Sequence, residues 1–391
     1  MRPQYQAAAL FLLLVAQYQS THMAAAFLRP SALRSSSWLR RGCSVVDDAV
    51  RYNGAARLSS PSSASFSGSA RLVRQPAGMA FSSPLVTVQE VKEVLQASPG
   101  SVRCVDASWH MGGDRNAKKE FLEGHIPGAV FFDIDSIADK ASSLPHMLPS
   151  EEIFSSKVSD LGISNDHTVV VYAKEGSFSA PRCWWTFRAL GHQGVHVLDG
   201  GFPAWEASGG SVERGQVNPA STRPSSGLVQ ASGNAWKLRE KGFRGRLNAP
   251  MLRTWRQVLT QSETGKDAAG QVVDARSLAR FRAEAPEPRA GVAGGHIPGS
   301  TSFPFSKVLV EGNVNRFLSP QEIRKAFEDA GVDIDSPLPI TTTCGSGVTA
   351  AVLTFALELA GRSAELSPVY DGSWAEWGSR DDLPRGTIEM V

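Results

Sequence analysis

From Leu85 onward, short runs of β-branched and other apolar residues alternate with amphipathic segments. The apolar runs predict buried strands, and the amphipathic segments predict helices. Strands that alternate with helices predict a parallel sheet with helices on both faces, which is an α/β fold. The predicted strands include Val102–Asp106, Thr168–Tyr172, 272–274 and 339–343, and the predicted helices include 150–161 and 319–331.

This pattern occurs twice along the chain, at an offset of about 170 residues. Three motifs return in the same order, which excludes a chance match. The repeated motifs are Val105-Asp106-Ala107 with Val273-Asp274-Ala275, Gly124-His125-Ile126-Pro127-Gly128 with Gly295-His296-Ile297-Pro298-Gly299, and Asp199-Gly200 with Asp371-Gly372.

The repeat predicts two tandem domains of the same α/β design, each a parallel sheet flanked by helices. The first domain covers residues 84–212 and the second covers 250–388, with a Gly-, Ser-, Pro- and Arg-rich linker at 213–249. In an open parallel sheet, ligands bind at the carboxyl ends of the strands. We therefore expect the site of each domain at that edge of its sheet.

Residues 1–83 differ in composition from the rest and predict a targeting or disordered leader. Residues 1–46 contain five arginines but no Asp or Glu, which is typical of an organelle transit peptide. The apolar run 7–16 is too short to span a bilayer but matches a signal-peptide core. Either a signal segment precedes a plastid-type transit segment, or translation from Met23 produces a mitochondrial presequence. We favour the mitochondrion, with the cytoplasm if the leader is absent, and expect no membrane association of the mature form.

The composition excludes several classes of partner and cofactor. Charged residues make up 20% of the chain and the net charge is +2, so no nucleic-acid partner is expected. The four cysteines include no C-x-x-C pair, which argues against a metal site or a disulfide framework and favours a reducing compartment. Neither a strand-associated G-x-G-x-x-G motif nor a Walker loop occurs, so we expect no cofactor.

One cysteine stands where a strand turns into a helix. Cys344 follows the β-branched run Ile340–Thr343 and precedes the helix-forming run 350–359. Gly345 and Gly347 are expected to take positive φ and to turn their backbone N–H groups towards the sulfur. These amides and the helix N-terminus stabilise negative charge, so the sequence predicts a nucleophilic thiolate. The alternative is an inert cysteine of the core.

The first copy of the repeat has no cysteine at the equivalent loop position. Ala173 stands there, while Cys183 lies in the following helix and Cys104 in the first strand, where a thiol is packed and inert. The first domain is therefore predicted to be non-catalytic and to form one wall of a cleft between the domains. Arg182 is expected to line that cleft from the first domain.

A nucleophilic cysteine can serve a phosphatase, a protease or a sulfur-transfer enzyme. A phosphatase loop needs an arginine six positions after the cysteine to clamp phosphate, and this position is Ala350. A protease needs a histidine base. His125 and His296 are available, but both stand in H-I-P-G motifs that recur in the two copies and look structural.

The chain resembles the tandem rhodanese-domain sulfurtransferases from Leu85 to Leu383. The resemblance rests on the repeated H-I-P-G and D-G motifs, on the segment 372–377 and on one loop. That loop reads Cys344-Gly345-Ser346-Gly347-Val348-Thr349. Family members that use thiosulfate carry C-R-K-G-V-T, and members that use 3-mercaptopyruvate carry C-G-S-G-V-T, the form found here. The difference is physically reasonable, because the thiosulfate dianion benefits from cations in the loop.

The resemblance implies a two-step sulfur transfer. The Cys344 thiolate attacks the sulfur of 3-mercaptopyruvate, pyruvate leaves as its enolate, and a Cys344 persulfide remains. An acceptor thiol, either thioredoxin or a low-molecular-weight thiol, or else cyanide, then takes the outer sulfur. The loop amides from Gly345 through Gly347 and Val348 to Thr349 would stabilise its charge. The alternatives are thiosulfate:cyanide transfer and a rhodanese-like scaffold without turnover.

The resemblance also implies the residues that bind substrate and move protons. Arg280 and Arg289 match the two arginines that hold the carboxylate and the carbonyl oxygen, whereas Arg282 is expected to be exposed or ion-paired. A proton relay would run from Ser346 through His125 to Asp114, which stands eleven residues before the histidine. The alternative is that His125 only pins its own turn.

Overall fold

The computed structural model describes residues 81–98, 100–217 and 242–387. The predicted leader lies outside these ranges except for residues 81–83, as do the middle of the predicted linker and residue 388 of the second domain. Within the described ranges, no helix is long and apolar enough to cross a membrane.

The first domain is a five-stranded parallel sheet with the strand order β1-β5-β4-β2-β3. Helices connect successive strands, as parallel pairing requires. Its elements are β1 (Leu85–Val86), α1 (Val88–Ala97), β2 (Val102–Asp106), α2 (Ala117–Glu123), β3 (Val130–Phe131), α3 (Glu151–Asp160), β4 (Thr168–Tyr172), α4 (Ala180–Ala189), β5 (Val195–Leu198) and α5 (Gly201–Ala207).

The second domain repeats this design, with the parallel order β6-β12-β11-β7-β8 and an added antiparallel hairpin, β9–β10. The predicted α/β class with two equivalent domains is confirmed. Its elements are β6 (Leu252–Arg253), α6 (Trp255–Thr264), α7 (Lys266–Ala269), β7 (Gln271–Asp274), α8 (Leu278–Phe281), β8 (Thr301–Ser302), β9 (Leu309–Val310), β10 (Asn313–Phe317), α9 (Pro320–Asp329), β11 (Ile340–Thr343), α10 (Val348–Leu359), β12 (Val369–Tyr370) and α11 (Ser373–Trp377), with 3₁₀ turns at Ala249–Met251, Phe305–Val308 and Ala364–Leu366.

Equivalent helices in the two copies begin with the same chemistry. The hydroxyls of Thr87 and Thr254 accept backbone N–H bonds at the starts of α1 and α6, and each helix returns a side-chain bond in a capping box. Ser150 and Ser319 cap α3 and α9 in the same way through their hydroxyls. The central strands β2, β4, β7 and β11 are buried at every residue, as expected for a parallel sheet covered on both faces.

The helices that follow the two equivalent loops, α4 and α10, pack against each other across the domain boundary. The rings of Trp184 and Phe355 meet edge to face at 4.8 Å, and Arg188 Nη1 lies 2.8 Å from Glu358 Oε1. Most of α10 is apolar and buried, which is typical of a helix enclosed by other elements. One apolar core therefore runs through both domains.

The hairpin β9–β10 was not predicted, and it reaches from the second domain to the first. Asn315 Nδ2 donates to the carbonyl oxygen of Lys174 at 2.9 Å, and the Gly200 N–H donates to the Asn315 carbonyl oxygen at 2.9 Å. The hairpin thus covers the first-domain loop that corresponds to the Cys344 loop.

The described part of the predicted linker packs on the first domain. Phe243 is buried among aromatic side chains, with its ring 5.3 Å from Phe154 and 5.8 Å from Phe187. The Arg246 N–H donates to the Leu190 carbonyl oxygen at 2.9 Å. The chain that leads into the second domain is therefore held against the first over this stretch.

Candidate active site

Cys344 lies at the carboxyl end of β11, in the turn that leads into α10. It is only 2% exposed and forms no disulfide. Burial raises the pKa of the Cys104 thiol to about 12 and also raises the pKa of Cys183. Those two thiols therefore stay protonated and inert, as predicted, which leaves Cys344 as the candidate nucleophile in the described part of the chain.

The two loop glycines are required for different reasons. Gly347 has a φ of 81°, which favours glycine, and a Cβ there would lie 2.7 Å from Arg182 Nη1 and 2.8 Å from Asp371 Oδ1. Gly345 does not take the positive φ that was predicted for it. The space there favours glycine, because a Cβ would lie 3.0 Å from Nη2 of Arg280, which would have to move by a few tenths of an ångström.

The start of α11 holds the nucleophile in place through backbone hydrogen bonds. The Trp374 N–H donates to the Cys344 carbonyl oxygen, and the Ala375 N–H donates to the Gly345 carbonyl oxygen, both at 2.9 Å. The Cys344 N–H donates in turn to Ser373 Oγ at 3.2 Å. The G-S-W motif of the second copy thus fixes the backbone of the cysteine.

The remaining loop residues surround the N-terminus of α10. The backbone N–H groups of its first turn, which begins at Val348 and Thr349, have no acceptor within the helix. Ser346 is 7% exposed, and its hydroxyl forms no hydrogen bond within the described residues. A group that carries negative charge would find donors at this place.

Arg280 reaches the loop, and a carboxylate orients it. Its Nη2 lies 2.5 Å and its Nε 3.2 Å from the two carboxylate oxygens of Glu287, beside the Gly345 contact described above. Arg289 is half-buried and has no hydrogen bond or ion pair within the described ranges. Arg282 has a side chain 42% exposed and lies 3.8 Å from Glu284, so its predicted exposed or ion-paired state is confirmed.

A fourth arginine, Arg276, was missed by the sequence analysis. Its fully buried side chain lies 2.6 Å from Asp274 Oδ2 and 2.8 Å from Glu287 Oε1, and its guanidinium stacks 4.4 Å from the ring of Trp374. Burial alone would lower the pKa of Arg276, but the two carboxylates outweigh it and raise the pKa. Arg276 therefore fixes Glu287, which in turn fixes Arg280.

His125 is tied to its own turn. Its Nδ1 lies 2.8 Å from the Phe121 carbonyl oxygen, and its ring stacks on Phe121 with centroids 4.1 Å apart. His296 makes the same two contacts with Phe281, at 2.9 Å and 3.9 Å. Since the histidine has one environment in both copies, including the copy without a cysteine, these contacts agree with the structural interpretation.

The predicted relay from Ser346 through His125 to Asp114 is not formed. Among the described residues no hydrogen bond links any two of these three side chains, and Asp114 is exposed. The physical reason is that His125 has its Nδ1 and its ring face engaged within its own domain, with Nε2 at 3.7 Å from Glu213 Oε2.

A different histidine–carboxylate pair lies at the domain boundary. His146 Nδ1 is 2.7 Å from Asp135 Oδ1, and Trp109 Nε1 donates to Asp135 Oδ2 at 2.9 Å. The hydrogen bond from His146 lowers the pKa of the Asp135 carboxyl. His146 is 9% exposed, and its buried Nε2 has no partner in the described part of the chain. His146 is thus an imidazole with a carboxylate close to Nδ1 and with a buried, unpartnered Nε2.

Arg182 joins this histidine to the cysteine loop. Its Nη2 donates to the His146 carbonyl oxygen, while its Nη1 lies 2.6 Å from Asp371 Oδ1 and 3.4 Å from the Gly347 carbonyl oxygen. The Leu148 N–H donates to the other Asp371 oxygen at 2.6 Å. The segment from His146 to Leu148 therefore lies against the loop of the second domain, with a free imidazole nitrogen.

The sequence model of the family described as rhodanese-like domain matches the chain twice, over residues 89–208 and 254–380. The chain belongs to the rhodanese-like family. Each match covers one of the two sheets except for its first strand. The predicted resemblance to a tandem rhodanese-domain sulfurtransferase is confirmed.

Relatives of this rhodanese-like chain differ in the sulfur donor that their names give. The mitochondrial thiosulfate/3-mercaptopyruvate sulfurtransferase 1 of Arabidopsis thaliana is 40% identical over 79% of each chain. The thiosulfate sulfurtransferase of Bos taurus is 41% identical over 76% of this chain and 92% of its own. The solved structure of SseA from Escherichia coli, a 3-mercaptopyruvate sulfotransferase, matches with a TM-score of 0.59 and 34% identity, covering 75% of this chain and 99% of that one. The protein is therefore a sulfurtransferase, and overall similarity does not select its donor.

In this tandem rhodanese-domain sulfurtransferase the first-domain loop is closed by a lysine. Ala173 stands in the cysteine position, and the next residue, Lys174, donates from Nζ to the Gly124 carbonyl oxygen. The Lys174 ammonium lies 4.0 Å from the centre of the Phe202 ring, and burial lowers its pKa. The ammonium that follows the equivalent of the cysteine position is thus held within the first domain.

A sequence signal for His146 and Asp135 existed but was ambiguous. Asp135 precedes His146 by eleven positions, the same spacing as the predicted Asp114 and His125. The distinguishing feature is the repeat. His125 has a histidine counterpart in the second copy, whereas the place of His146, four residues before a helix-capping serine, is taken by Asn315.

Proposed function

We propose that this protein is a 3-mercaptopyruvate sulfurtransferase that carries sulfur on Cys344 to a thiol acceptor and releases pyruvate. The observation that supports this donor is the guanidinium of Arg280 against Gly345, in a cysteine loop without any charged side chain of its own. A cation beside an uncharged loop suits a substrate with one carboxylate better than the compact thiosulfate dianion.

Substrate binding falls to Arg280 and Arg289. Glu287 engages Nε and Nη2 of Arg280, so Nη1 remains for the substrate carboxylate. Arg289 is half-buried without a protein partner in the described ranges, which suits a second contact to the carboxylate or carbonyl oxygen. Two planar guanidinium groups would orient the substrate so that its sulfur faces Cys344.

In the first step, the Cys344 thiolate attacks the sulfur of 3-mercaptopyruvate. The S–S bond forms, the C–S bond breaks, and its electron pair moves to carbon to give the enolate of pyruvate. The proton of the substrate thiol ends on that carbon, which yields pyruvate and a Cys344 persulfide anion. The amides from Gly345 to Thr349, at the N-terminus of α10, would stabilise the negative charge.

In the second step, a thiol acceptor attacks the outer sulfur and restores the Cys344 thiolate. A dithiol such as thioredoxin would form its own disulfide and release hydrogen sulfide, and cyanide would leave as thiocyanate. The thiol acceptor is proposed from the chemistry of the persulfide, which reacts with thiolates that reach the cleft.

We assign the proton transfer of the first step to His146. Its buried Nε2 has no partner within the described residues, and Asp135 Oδ1 lies 2.7 Å from Nδ1, which suits an imidazole that accepts or gives a proton through Nε2. Ser346, a residue only 7% exposed whose hydroxyl has no partner in the described part of the chain, is assigned to the leaving group. Cys344 is the nucleophile in this scheme.

Thiosulfate is the competing donor, and the first experiment separates the two. The full chain is given 3-mercaptopyruvate with dithiothreitol or thioredoxin, and pyruvate is measured beside thiocyanate formation from thiosulfate and cyanide. We expect pyruvate release that disappears in Cys344→Ser, with much weaker turnover of thiosulfate. Preference for thiosulfate would replace the proposed donor, and inactivity with both donors would favour the scaffold alternative.

We also propose a mitochondrial location. The acid-free, arginine-containing composition of residues 1–46 supports it, and the Arabidopsis relative is named mitochondrial. A fusion of residues 1–83 to a fluorescent protein should enter mitochondria, and the matched fusion with residues 2, 29, 34, 40 and 41 changed from Arg to Gln should not. Entry into plastids or retention in the cytoplasm by the unmodified leader would contradict the proposal.

A further inference from the structure

Arg182 is a buried cation at the boundary between the two domains. Its side chain is 3% exposed and its partner Asp371 is 2% exposed, with 2.6 Å between Nη1 and Oδ1. A charge pair removed from water in this way is stable only when close geometry and further hydrogen bonds compensate for the lost solvation. The further bonds of Arg182 all go to parts of the candidate site.

Each contact of the guanidinium fixes a different part of that site. The Gly347 carbonyl oxygen belongs to the N-cap of α10, whose first-turn amides surround the cysteine loop. Asp371 begins the turn that carries the bonds from Trp374 to Cys344. The third acceptor is the backbone of His146, a non-glycine residue held at a φ of 60°.

The shape of the guanidinium explains how one side chain makes these contacts together. Nη1 lies between Asp371 and Gly347 while Nη2 points to His146, and the group stacks 4.4 Å from the Trp185 ring. A lysine ammonium keeps the charge but lacks the planar fork that spans both sides. The substitution Arg182→Lys therefore keeps a charge that can pair with Asp371 but removes the bridge between Asp371 and His146.

We propose that Arg182 is a positioning residue of the sulfur-transfer site, which couples the His146 segment of the first domain to the Cys344 loop of the second. It acts through Gly347 and Asp371 on the loop and through the backbone on His146, and it touches no reacting atom. This inference rests on the proposed function only where pyruvate release is measured. The arrangement of the cysteine loop can be tested without any substrate.

The test compares Arg182→Lys with Arg188→Lys in the full chain. Arg188 also joins the two domains, through Glu358 at 2.8 Å, but its hydrogen bonds are made between α4 and α10 and not with the loop. The rate of Cys344 alkylation by iodoacetamide is followed by mass spectrometry across pH 5 to 9. Pyruvate release is measured over the same range, and thermal unfolding is followed by circular dichroism.

We expect Arg182→Lys to slow Cys344 alkylation at neutral pH about tenfold, to move its pH midpoint upward, and to lower kcat/KM by more than about tenfold, since the loop amides lose their alignment. Arg188→Lys should stay within about twofold of wild type in both rates at a comparable loss of thermal stability. Equal alkylation profiles for the two variants would overturn the proposal and leave Arg182 a purely structural tie.

A second variant tests the proposal if Arg182→Lys does not fold. If Arg182→Lys shows no cooperative melt, Asp371→Asn keeps the size of the partner and weakens the same bridge. A wild-type alkylation profile in Asp371→Asn would overturn the proposal, and an upward-shifted profile would support it. Because alkylation needs no sulfur donor, an inactive wild-type protein with a loop that still depends on Arg182 would disprove the proposed function and leave this inference standing.

Discussion

Two segments cross between the domains at equivalent places in the repeat. In the first domain, the Leu148 N–H donates to Asp371 of the second at 2.6 Å. In the second domain, the Phe317 N–H donates to Asp199 of the first at 3.4 Å. Both donors stand two positions before the serine that caps the following helix, and both acceptors begin a D-G turn. The duplicated domains thus exchange matching segments.

The side chains at these crossings differ. Four residues before the capping serine, the first domain places His146 near the cysteine loop, and the second places Asn315 on the first-domain loop, bound to the Lys174 carbonyl oxygen. The difference teaches that two domains with the same fold can present different side chains at equivalent crossings. Each domain supplies a residue to the neighbourhood of the other domain's loop, and only the first supplies an imidazole.

The ion pairs at the two crossings also differ, in burial and in distance. Arg182 and Asp371 are buried at 2.6 Å, whereas Arg316 is 63% exposed and lies 3.8 Å from Asp199. An exposed pair at that distance contributes little to stability, because water and salt screen it. The crossing that supports the cysteine loop is therefore the one that the structure holds rigidly.

Moving the cysteine to the first-domain loop should have the largest effect on activity. In Cys344→Ala with Ala173→Cys, we expect pyruvate release to fall by at least about a thousandfold, as in Cys344→Ala alone, because Asn315 covers the first-domain loop through its bond to the Lys174 carbonyl oxygen. The measurement is pyruvate formation with dithiothreitol as acceptor. Recovery of more than a few per cent of wild-type activity would show that the two loops are chemically equivalent.

Exchanging the residues at the crossings should have the next largest effect. His146→Asn, which copies the other crossing, should lower kcat about a hundredfold or more and flatten its pH profile, because a general acid–base group is lost. Asn315→His, the matched control, should change kcat less than about threefold. The pH dependence of kcat for both variants checks this, and an unchanged profile in His146→Asn would remove that histidine from proton transfer.

The arginines around the loop allow a sharper comparison within the second domain. Arg280→Ala should raise KM for 3-mercaptopyruvate about ten- to a hundredfold, since a charge-assisted hydrogen bond contributes about 1.5–3 kcal/mol. The neighbouring Arg282→Ala should change KM less than about twofold, because its side chain is 42% exposed. Steady-state kinetics on both variants decides the point, and similar KM values would place the carboxylate site elsewhere.

The smallest expected effect is a loss of folding stability in acid, which arises from two histidines of the first domain. Burial lowers the pKa of His192 and of His167 to about 4, so both stay neutral in the folded protein, whereas an unfolded histidine titrates near 6.5. The unfolded chain then binds more protons between those values, so stability falls as pH drops from about 6.5 to about 4 and changes little above that window.

Urea unfolding at pH 7.5, 6 and 5 tests this titration. His192 contributes on the order of 2–3 kcal/mol over the whole window, given its shift in pKa. His192→Gln keeps a polar side chain without a titrating group, so its free energy of unfolding should fall less steeply with pH than that of wild type. Parallel pH dependences for the two proteins would contradict the assignment.

Local chemistry determined much of this protein from its sequence alone. β-Branched runs, capping residues such as Ser150 and Ser319, and the three motifs that each occur twice specify strands, helix starts and two equivalent α/β domains. The turn from strand to helix placed Cys344 beside a helix N-terminus, and Gly347 was correctly expected at positive φ. These features depend on residues close together along the chain.

Tertiary structure alone decided which side chains meet that cysteine. Two pairs, Asp114 with His125 and Asp135 with His146, share a spacing of eleven residues, and only packing shows that the second pair meets, at 2.7 Å between His146 Nδ1 and Asp135 Oδ1. The bridge from Arg182 to Asp371 spans 189 positions. Such contacts arise when two separately patterned domains dock, and spacing along the chain carries no information about which surfaces then come together.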